Sequence, residues 1–284
     1  MQKLALGTVQ FGVKYGINNI SGVPSDVELE SILMLAKLAG IKLLDSAQGY
    51  GNAEERLGKF IGNDFQVITK FKKLESLYPF HKELRESLNK LNIDFVYGYM
   101  AHDGDLLIEN PKWWQGLQEA KSNGLVKKIG YSLYTINQLE SLLAKQMIPD
   151  LIQFPFNIFD RRFSPYMSEL ASLGVEIHIR SVYLQGLLQF DPMKLPGNLK
   201  LLQPNLIKVQ EIGAKYNLSI SELCLGFAIS NPFINKVVIG IDNESQLAEN
   251  IFISQNIELS NEIIDELLSI EIDNDNLLNP SNWK

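Results

Sequence analysis

Three observations on this 284-residue chain predict one (β/α)8 barrel. Eight short apolar runs recur along it, at 4–8, 42–46, 66–70, 95–101, 127–132, 150–156, 176–181 and 236–241, with helical segments between them. Several of these runs are apolar without alternation, as strands buried on both faces of a parallel sheet are. The third observation is a missing context. A doubly wound sheet places a Gly-rich phosphate turn between its first strand and the next helix, but Gly7-Thr8-Val9-Gln10-Phe11-Gly12 is followed by no helix until Ser25. Strand and helix alternating to the end of the chain therefore predict closure into a barrel rather than an open sheet. One domain spans 1–284, with a C-terminal helix and tail from about 260.

The helices carry their own start and stop signals. Ser25 with Glu28 forms a capping-box pair, Ile32, Leu33, Ala36 and Ala39 make one apolar face, and Gly40 ends that helix. Asn52 with Glu55 is a second such pair, followed by Leu57, Phe60 and Ile61. Leu84, Leu88 and Leu91 recur at helical spacing. Asn110 before Pro111 predicts an N-cap with proline at the first helical position, and Gly124 closes that helix. Thr135 with Gln138, and Ser164 with Pro165, start the next two. From Gln203 to Ser230 two helices are expected, broken near Asn217, with Ser219 and Glu222 as a new capping box. Helices at 244–253 and 260–271 finish the chain. The wide interval between strands seven and eight accommodates a long loop around Asp191–Asn205 and an extra helix.

Composition narrows the class. An apolar share of 45% supplies a core, and 21% charged residues is ordinary for a soluble protein. Net charge is −7, and the densest basic group, Lys70, Lys72 and Lys73, reads as a solvated loop, so nucleic acid is not an expected partner. The single Cys224 reads as a small core residue and excludes a disulfide framework or a thiolate metal cluster. No metal site is expected. The N-terminus lacks the apolar run of a signal peptide and no window reaches membrane-spanning length, so a cytoplasmic protein without membrane contact is expected.

Chemistry concentrates at strand ends. Ile41, Leu43 and Leu44 run into Asp45, and small residues then lead to Tyr50 between Gly49 and Gly51. Lys70 ends the third strand and His102 the fourth. Each has a plain alternative: Lys70 marks where the chain meets water, and His102 holds a backbone carbonyl in the core. Four polar groups at one end of three adjacent strands, the end where barrel enzymes place their chemistry, argue for a shared site. A tyrosine with an ordinary pKa of about 10 is a poor acid at neutral pH. A neighbouring cation favours its phenolate, and a carboxylate beside that cation keeps it charged. His102 can hold a carbonyl oxygen toward the Tyr50 hydroxyl. Such groups protonate an oxyanion while something else delivers electrons to carbon, and no side chain delivers hydride, so a cofactor is required.

These residues and their order resemble the aldo-keto reductase superfamily nearly end to end. Leu6-Gly7-Thr8 is similar to its first strand, and Asp45-Ser46-Ala47 with Tyr50-Gly51 to its signature. The resemblance implies that Tyr50 is proton donor, that Asp45 and Lys70 tune it, and that His102 orients the carbonyl. Asn123 to Ser132 resembles the segment entering strand five, where Ser132 would bind the nicotinamide carboxamide together with Gln153 and Asn157. Arg180-Ser181-Val182-Tyr183-Leu184-Gln185-Gly186 resembles the strand-seven loop along the cofactor. Gln246-Leu247-Ala248-Glu249-Asn250 resembles the segment after strand eight. The implied cofactor residues are thus Gly7, Thr8, Ser132, Gln153, Arg180, Ser181, Leu184, Gly186, Ile239, Gly240, Asp242, Gln246, Glu249 and Asn250.

Two departures from the family pattern bear on the cofactor. Where relatives place a base against the 2′-phosphate of NADPH, this chain has Asp242 and Glu244. Asp242 either repels that phosphate and accepts from a 2′-hydroxyl, or is an ordinary acidic helix start. Either NADPH or NADH is therefore the expected cofactor. Arg180 stands where many relatives carry an aromatic that stacks on the nicotinamide, and a guanidinium plane can stack too. Phe11, Phe71, Asp103, Tyr134 and Phe156, with Tyr50, are the expected pocket walls, from their place on strand-end loops. The expected activity is NAD(P)H-dependent reduction of an aldehyde, ketone or sugar-like carbonyl, or the reverse oxidation, by a monomer or weak homo-oligomer. Two alternatives stay open: a lyase with Lys70 as Schiff-base nucleophile, and a cofactor-binding sensor subunit with little turnover.

Overall fold

The computed structural model describes residues 2–17, 19, 21–72 and 80–283. Eight parallel strands close into a barrel: β1 (Leu4–Gly7), β2 (Leu43–Asp45), β3 (Gln66–Phe71), β4 (Val96–Ala101), β5 (Val126–Ser132), β6 (Leu151–Pro155), β7 (Glu176–Arg180) and β8 (Lys236–Gly240). Each pairs with the next, and β8 closes on β1 with Leu4 opposite Val237 and Gly7 opposite Gly240. Every run expected as a strand is one, to within one residue at each end; β3 and β5 run one residue longer than expected and the others are shorter.

Two apolar layers follow from the strand period of two. A small cluster of Ala5, Leu43, Ile68, Met100, Leu151 and Val238 fills the barrel. The larger core lies between the strands and the helices around them. Two residues further toward the C-terminal rim from the inner cluster stand Gly7, Asp45, Lys70, His102, Gln153 and Gly240. Alternation alone thus carries those polar groups to one inward-facing ring above an apolar plug.

The helices are α1 (Asp26–Leu38), α2 (Ala53–Leu57), α3 (Phe80–Leu91), α4 (Asp105–Glu109), α5 (Lys112–Ser122), α6 (Ile136–Ala144), α7 (Ser164–Ser172), α8 (Gln203–Tyr216), α9 (Ile220–Ser230), α10 (Glu244–Asn256) and α11 (Asn261–Leu268). Reciprocal capping boxes form at Thr135/Gln138 and Ser219/Glu222. Asn217 ends α8 in a left-handed turn, where the break was expected. The interval before β8 holds 3-10 turns and the extra helix α8. Cys224 is fully buried in α9, which pushes its thiol pKa up. No helix among the described residues is long and apolar enough to cross a membrane.

Several caps differ from expectation. Ser25 accepts from the Glu28 amide, but the Glu28 carboxylate reaches across to the amide of Glu244 at the start of α10. Asn52 has φ −99° and ψ 19°, not the extended geometry of a capping residue, and its side chain makes no cap bond. The residues that fix α2 are instead polar and buried. Glu54 accepts from the hydroxyls of Thr69 and Ser87, and Arg56 donates to the carbonyls of Phe11 and Pro24. Asn110 ends the short α4, and Pro111 stands at the N-cap of α5. Ser164 is the first residue inside α7, with Phe163 at the N-cap position.

Candidate active site

A cleft of about 460 Å³ opens at the C-terminal rim of the barrel, within the size range of small-ligand sites. At its base Lys70 is 1% exposed. Its ammonium donates to Asp45 Oδ2 at 2.7 Å and to the Ser46 carbonyl at 3.0 Å. The other Asp45 oxygen accepts from Gln153 Nε2 at 2.9 Å, across the barrel from β6. Both carboxylate oxygens are therefore committed. The basic run containing Lys70 does not behave as one loop: Lys70 turns inward, Lys72 is exposed, and Lys73 lies outside the described residues.

Tyr50 sits above this pair. The Lys70 ammonium lies 5.5 Å from the centre of its ring, and the His102 ring meets it edge-on at 5.6 Å. Close backbone contact holds the loop: a Cβ on Gly12 would lie 1.8 Å from the Tyr50 carbonyl, and Gly51 adopts φ +58°. Glycine is needed at both positions.

Burial sets the protonation of the group. It pushes the Tyr50 phenol up from its ordinary value; the Asp45 charge adds to this and Arg180 opposes it. Arg180 is thus a second cation acting on the phenol besides Lys70, whose charge is matched by Asp45. Burial lowers Lys70 against the opposing pull of Asp45. Burial and the Lys70 charge hold His102 down to about 4, so its ring is neutral at pH 7. His102 Nδ1 is buried without a hydrogen-bond partner among the described residues, as is Gln10 Oε1 on the cleft wall.

Most of the expected cofactor residues line the cleft: Gly7, Thr8, Ser132, Gln153, Arg180, Ser181, Gly186, Ile239, Gly240, Asp242, Gln246, Glu249 and Asn250. Leu184 does not; it is fully buried, its amide bonded to the Ser181 carbonyl in a run of left-handed residues that turns the loop. Asn157 is likewise engaged beneath that loop, donating to the Ser181 carbonyl and accepting from the amides of Phe159 and Asp160. Asp242 accepts from Asn19 at 2.9 Å, and its amide donates to Gln246 Oε1 at 2.7 Å. Its carboxylate is therefore partnered, and burial raises its pKa.

Of the expected pocket walls only Tyr50 and Tyr134 reach the cleft. Phe71 follows inward-facing Lys70, so alternation turns it outward, against Tyr99 and Trp113. Phe156 stacks on Phe227 at 5.5 Å, and Phe11 is fully buried under the turn after β1. Asp103 lies beside the cleft, accepting from Gln138 and from the Asp105 amide. Tyr183 and Gln185 of the strand-seven loop also line the cleft, as do Gln10, Tyr15 and Asn19, which the sequence reading missed. Tyr15 and Asn19 belong to a Gly-punctuated stretch between β1 and α1, a signal that was present. That stretch crosses the cleft mouth, where Ile17 donates to the Gln185 carbonyl and Gln185 to the Tyr15 hydroxyl.

Among the described residues no group of three or more His, Cys, Asp or Glu could hold a metal ion. A buried carboxylate–ammonium pair, a phenol and a neutral imidazole can polarise and protonate a carbonyl oxygen. Lys70, sequestered and doubly bonded, is not presented as a nucleophile.

The comparisons agree with this geometry. The model of the Aldo/keto reductase family matches residues 3–272. An uncharacterised oxidoreductase of Bacillus subtilis is 27% identical, covering 95% of this chain and 96% of its own length. An NADH-specific methylglyoxal reductase of Escherichia coli is 24% identical over 92% of this chain and 95% of its own. Among solved structures, the holo form of an aldo-keto reductase from Bacillus halodurans superposes with a TM-score of 0.79, at 21% identity, covering 94% of this chain and 91% of that one. With a family match spanning nearly all of its strands and helices, the chain belongs to the aldo/keto reductase family.

Proposed function

We propose that the protein reduces an aldehyde, ketone or sugar-like carbonyl with NADH or NADPH, Tyr50 being the proton donor. The observation that carries this reading is the Lys70–Asp45 pair buried beneath a Tyr50 hydroxyl that has no hydrogen-bond partner among the described residues and faces the cleft. The lining fits a nicotinamide dinucleotide: an amide and a hydroxyl at Gln153 and Ser132, a left-handed loop at 184–186, and the N-terminus of α10. When bound, that cofactor supplies hydride to the carbonyl carbon.

The chain supplies the rest. Neutral His102 holds the carbonyl oxygen, and Tyr50 gives it a proton as negative charge develops there. The buried ammonium of Lys70, kept aligned by Asp45, stabilises the phenolate left behind. Gln153 fixes Asp45 from the opposite strand. Neutral His102 leaves turnover without a break near pH 6.5.

A relative described as NADH-specific supports NADH as a substrate for this cleft. Fluorescence titration with both cofactors, then turnover on a panel of carbonyls, tests the reading. Binding of neither cofactor removes it. Binding without turnover on any carbonyl turns it into a sensor.

A further inference from the structure

We propose that the carbonyl substrate carries an anionic group, a carboxylate or a phosphate monoester, and that Arg180 binds it. This deepens the reductase reading and rests on it.

Arg180 ends β7, half-buried, on the cleft wall. Its guanidinium carbon lies over the Tyr134 ring, 4.3 Å from the ring centre. One terminal nitrogen donates to the Leu133 carbonyl at 3.0 Å, and the other makes a long bond of 3.4 Å to Ser181 Oγ. A guanidinium has five N–H donors, so these contacts leave most of them unused. No carboxylate pairs with Arg180 among the described residues, whereas Lys70, Lys128, Arg56 and Arg162 each have one. It is also the cationic side chain among the described residues lining the cleft.

The nearby acids are engaged elsewhere. Asp45 holds Lys70 and Gln153. Asp103 is close enough to feel the Arg180 charge, but it bonds Gln138 and the Asp105 amide rather than the guanidinium. Asp242 belongs to the β8 side with Asn19. A partly buried cation without a counter-ion is costly, and a ligand anion relieves that cost. Stacking on Tyr134 fixes the guanidinium plane, which presents a preorganised fork to a carboxylate or phosphate.

Its position selects substrate over cofactor phosphate. The Arg180 charge acts on Tyr50, Lys70 and His102, which places it at the reacting end of the cleft. Tyr15 and Tyr134 line the same cleft, and a phenol hydroxyl is a further donor for an anion.

The test compares matched pairs on the full chain with saturating cofactor: succinate semialdehyde against butanal, and glyceraldehyde 3-phosphate against glyceraldehyde. The wild type is expected to favour at least one anionic member by about tenfold or more in kcat/KM, and the two arms separate carboxylate from phosphate. Arg180→Gln should bring that ratio to about one, and Arg180→Lys should restore part of it. Circular dichroism checks the fold, and cofactor titration accompanies each variant. Binding of 4-hydroxybutyrate against butan-1-ol, and of glycerol 3-phosphate against glycerol, gives a readout that needs no turnover. Reduction of neutral carbonyls without anionic preference overturns this inference and leaves the reductase reading standing. So does an Arg180→Gln variant that loses cofactor affinity but keeps the wild-type ratio. No reduction of any carbonyl, with anion binding lost in Arg180→Gln, overturns the reductase reading and keeps the anion site.

Discussion

The two ends of the barrel carry nearly the same residues and do different things. At the C-terminal rim are Lys70, Asp45, Tyr50 and His102; at the opposite end are Lys128, Glu176, Tyr97 and His178. Each ammonium pairs with its carboxylate and lies 5.5 Å from the centre of its tyrosine ring. The difference is where the phenol proton goes. The Tyr97 hydroxyl donates a hydrogen bond to Glu176 Oε2 at 2.7 Å, and His178 meets the other oxygen at 2.8 Å. At the rim Asp45 spends its oxygens on Lys70 and Gln153, leaving the Tyr50 hydroxyl to the cleft. Residue types therefore do not decide whether a phenol is available to a ligand. Its hydrogen-bond partners and its place beside open space do.

The sharpest way to break this comparison is to remove each hydroxyl in turn. Tyr50→Phe should reduce turnover by about a hundredfold or more, the scale of lost acid catalysis, with the fold and cofactor binding retained. Tyr97→Phe should change turnover by less than about twofold, since no substrate reaches it. Steady-state kinetics on both variants decides. Equal losses would sink the assignment of chemistry to the rim.

The second test concerns stability. Burial alone would raise the pKa of Glu176, but bonds from His178, Lys128 and Tyr97 outweigh it and hold the group at about 2. A carboxylate with a depressed native pKa stabilises the fold above its unfolded value. That contribution fades as pH falls from about 4.5 toward 2. Glu176→Gln should cost about 2 to 3 kcal/mol in denaturant unfolding at pH 7, with turnover little changed. It should also flatten the acid limb of the stability profile. A variant as stable as the wild type would show that the lower cluster contributes nothing.

The smallest effect lies within the rim, where the cleft is positive beside Arg180 and negative beside Asp242. Asp242 opposes a second phosphate, so the wild type should bind NADH and NADPH within about fivefold of each other. Asp242→Arg should shift the ratio of dissociation constants toward NADPH by about tenfold. A wild type already strongly selective for NADPH would show that Asp242, bonded to Asn19, faces away from the adenosine.

The barrel was legible because its signals are local. Unbroken apolar runs, Gly stops and the Thr135 and Ser219 capping boxes each specify an element without reference to the rest of the chain. The rim tetrad was legible for a related reason. Strand ends in a barrel converge, so Asp45, Lys70 and His102 meet once the strands are placed.

What the sequence by itself determined, then, is the order of strands and helices and which polar groups stand at their ends. Only the tertiary structure decided which way the neighbouring side chains face and what each polar group is bonded to. Phe71 and Phe156 stand beside site residues in the chain, yet one residue along a strand reverses the face, and both pack into the core. The lower cluster escaped notice because Lys128, Glu176 and Tyr97 are far apart in sequence and ordinary as residues. Their pairing exists only through closure of the barrel. Likewise, nothing in the sequence told that Asp45 would be shared with Gln153, or that Arg180 would pair with no carboxylate among the described residues. Those outcomes depend on distances across the barrel, which register and closure fix and which no local pattern records.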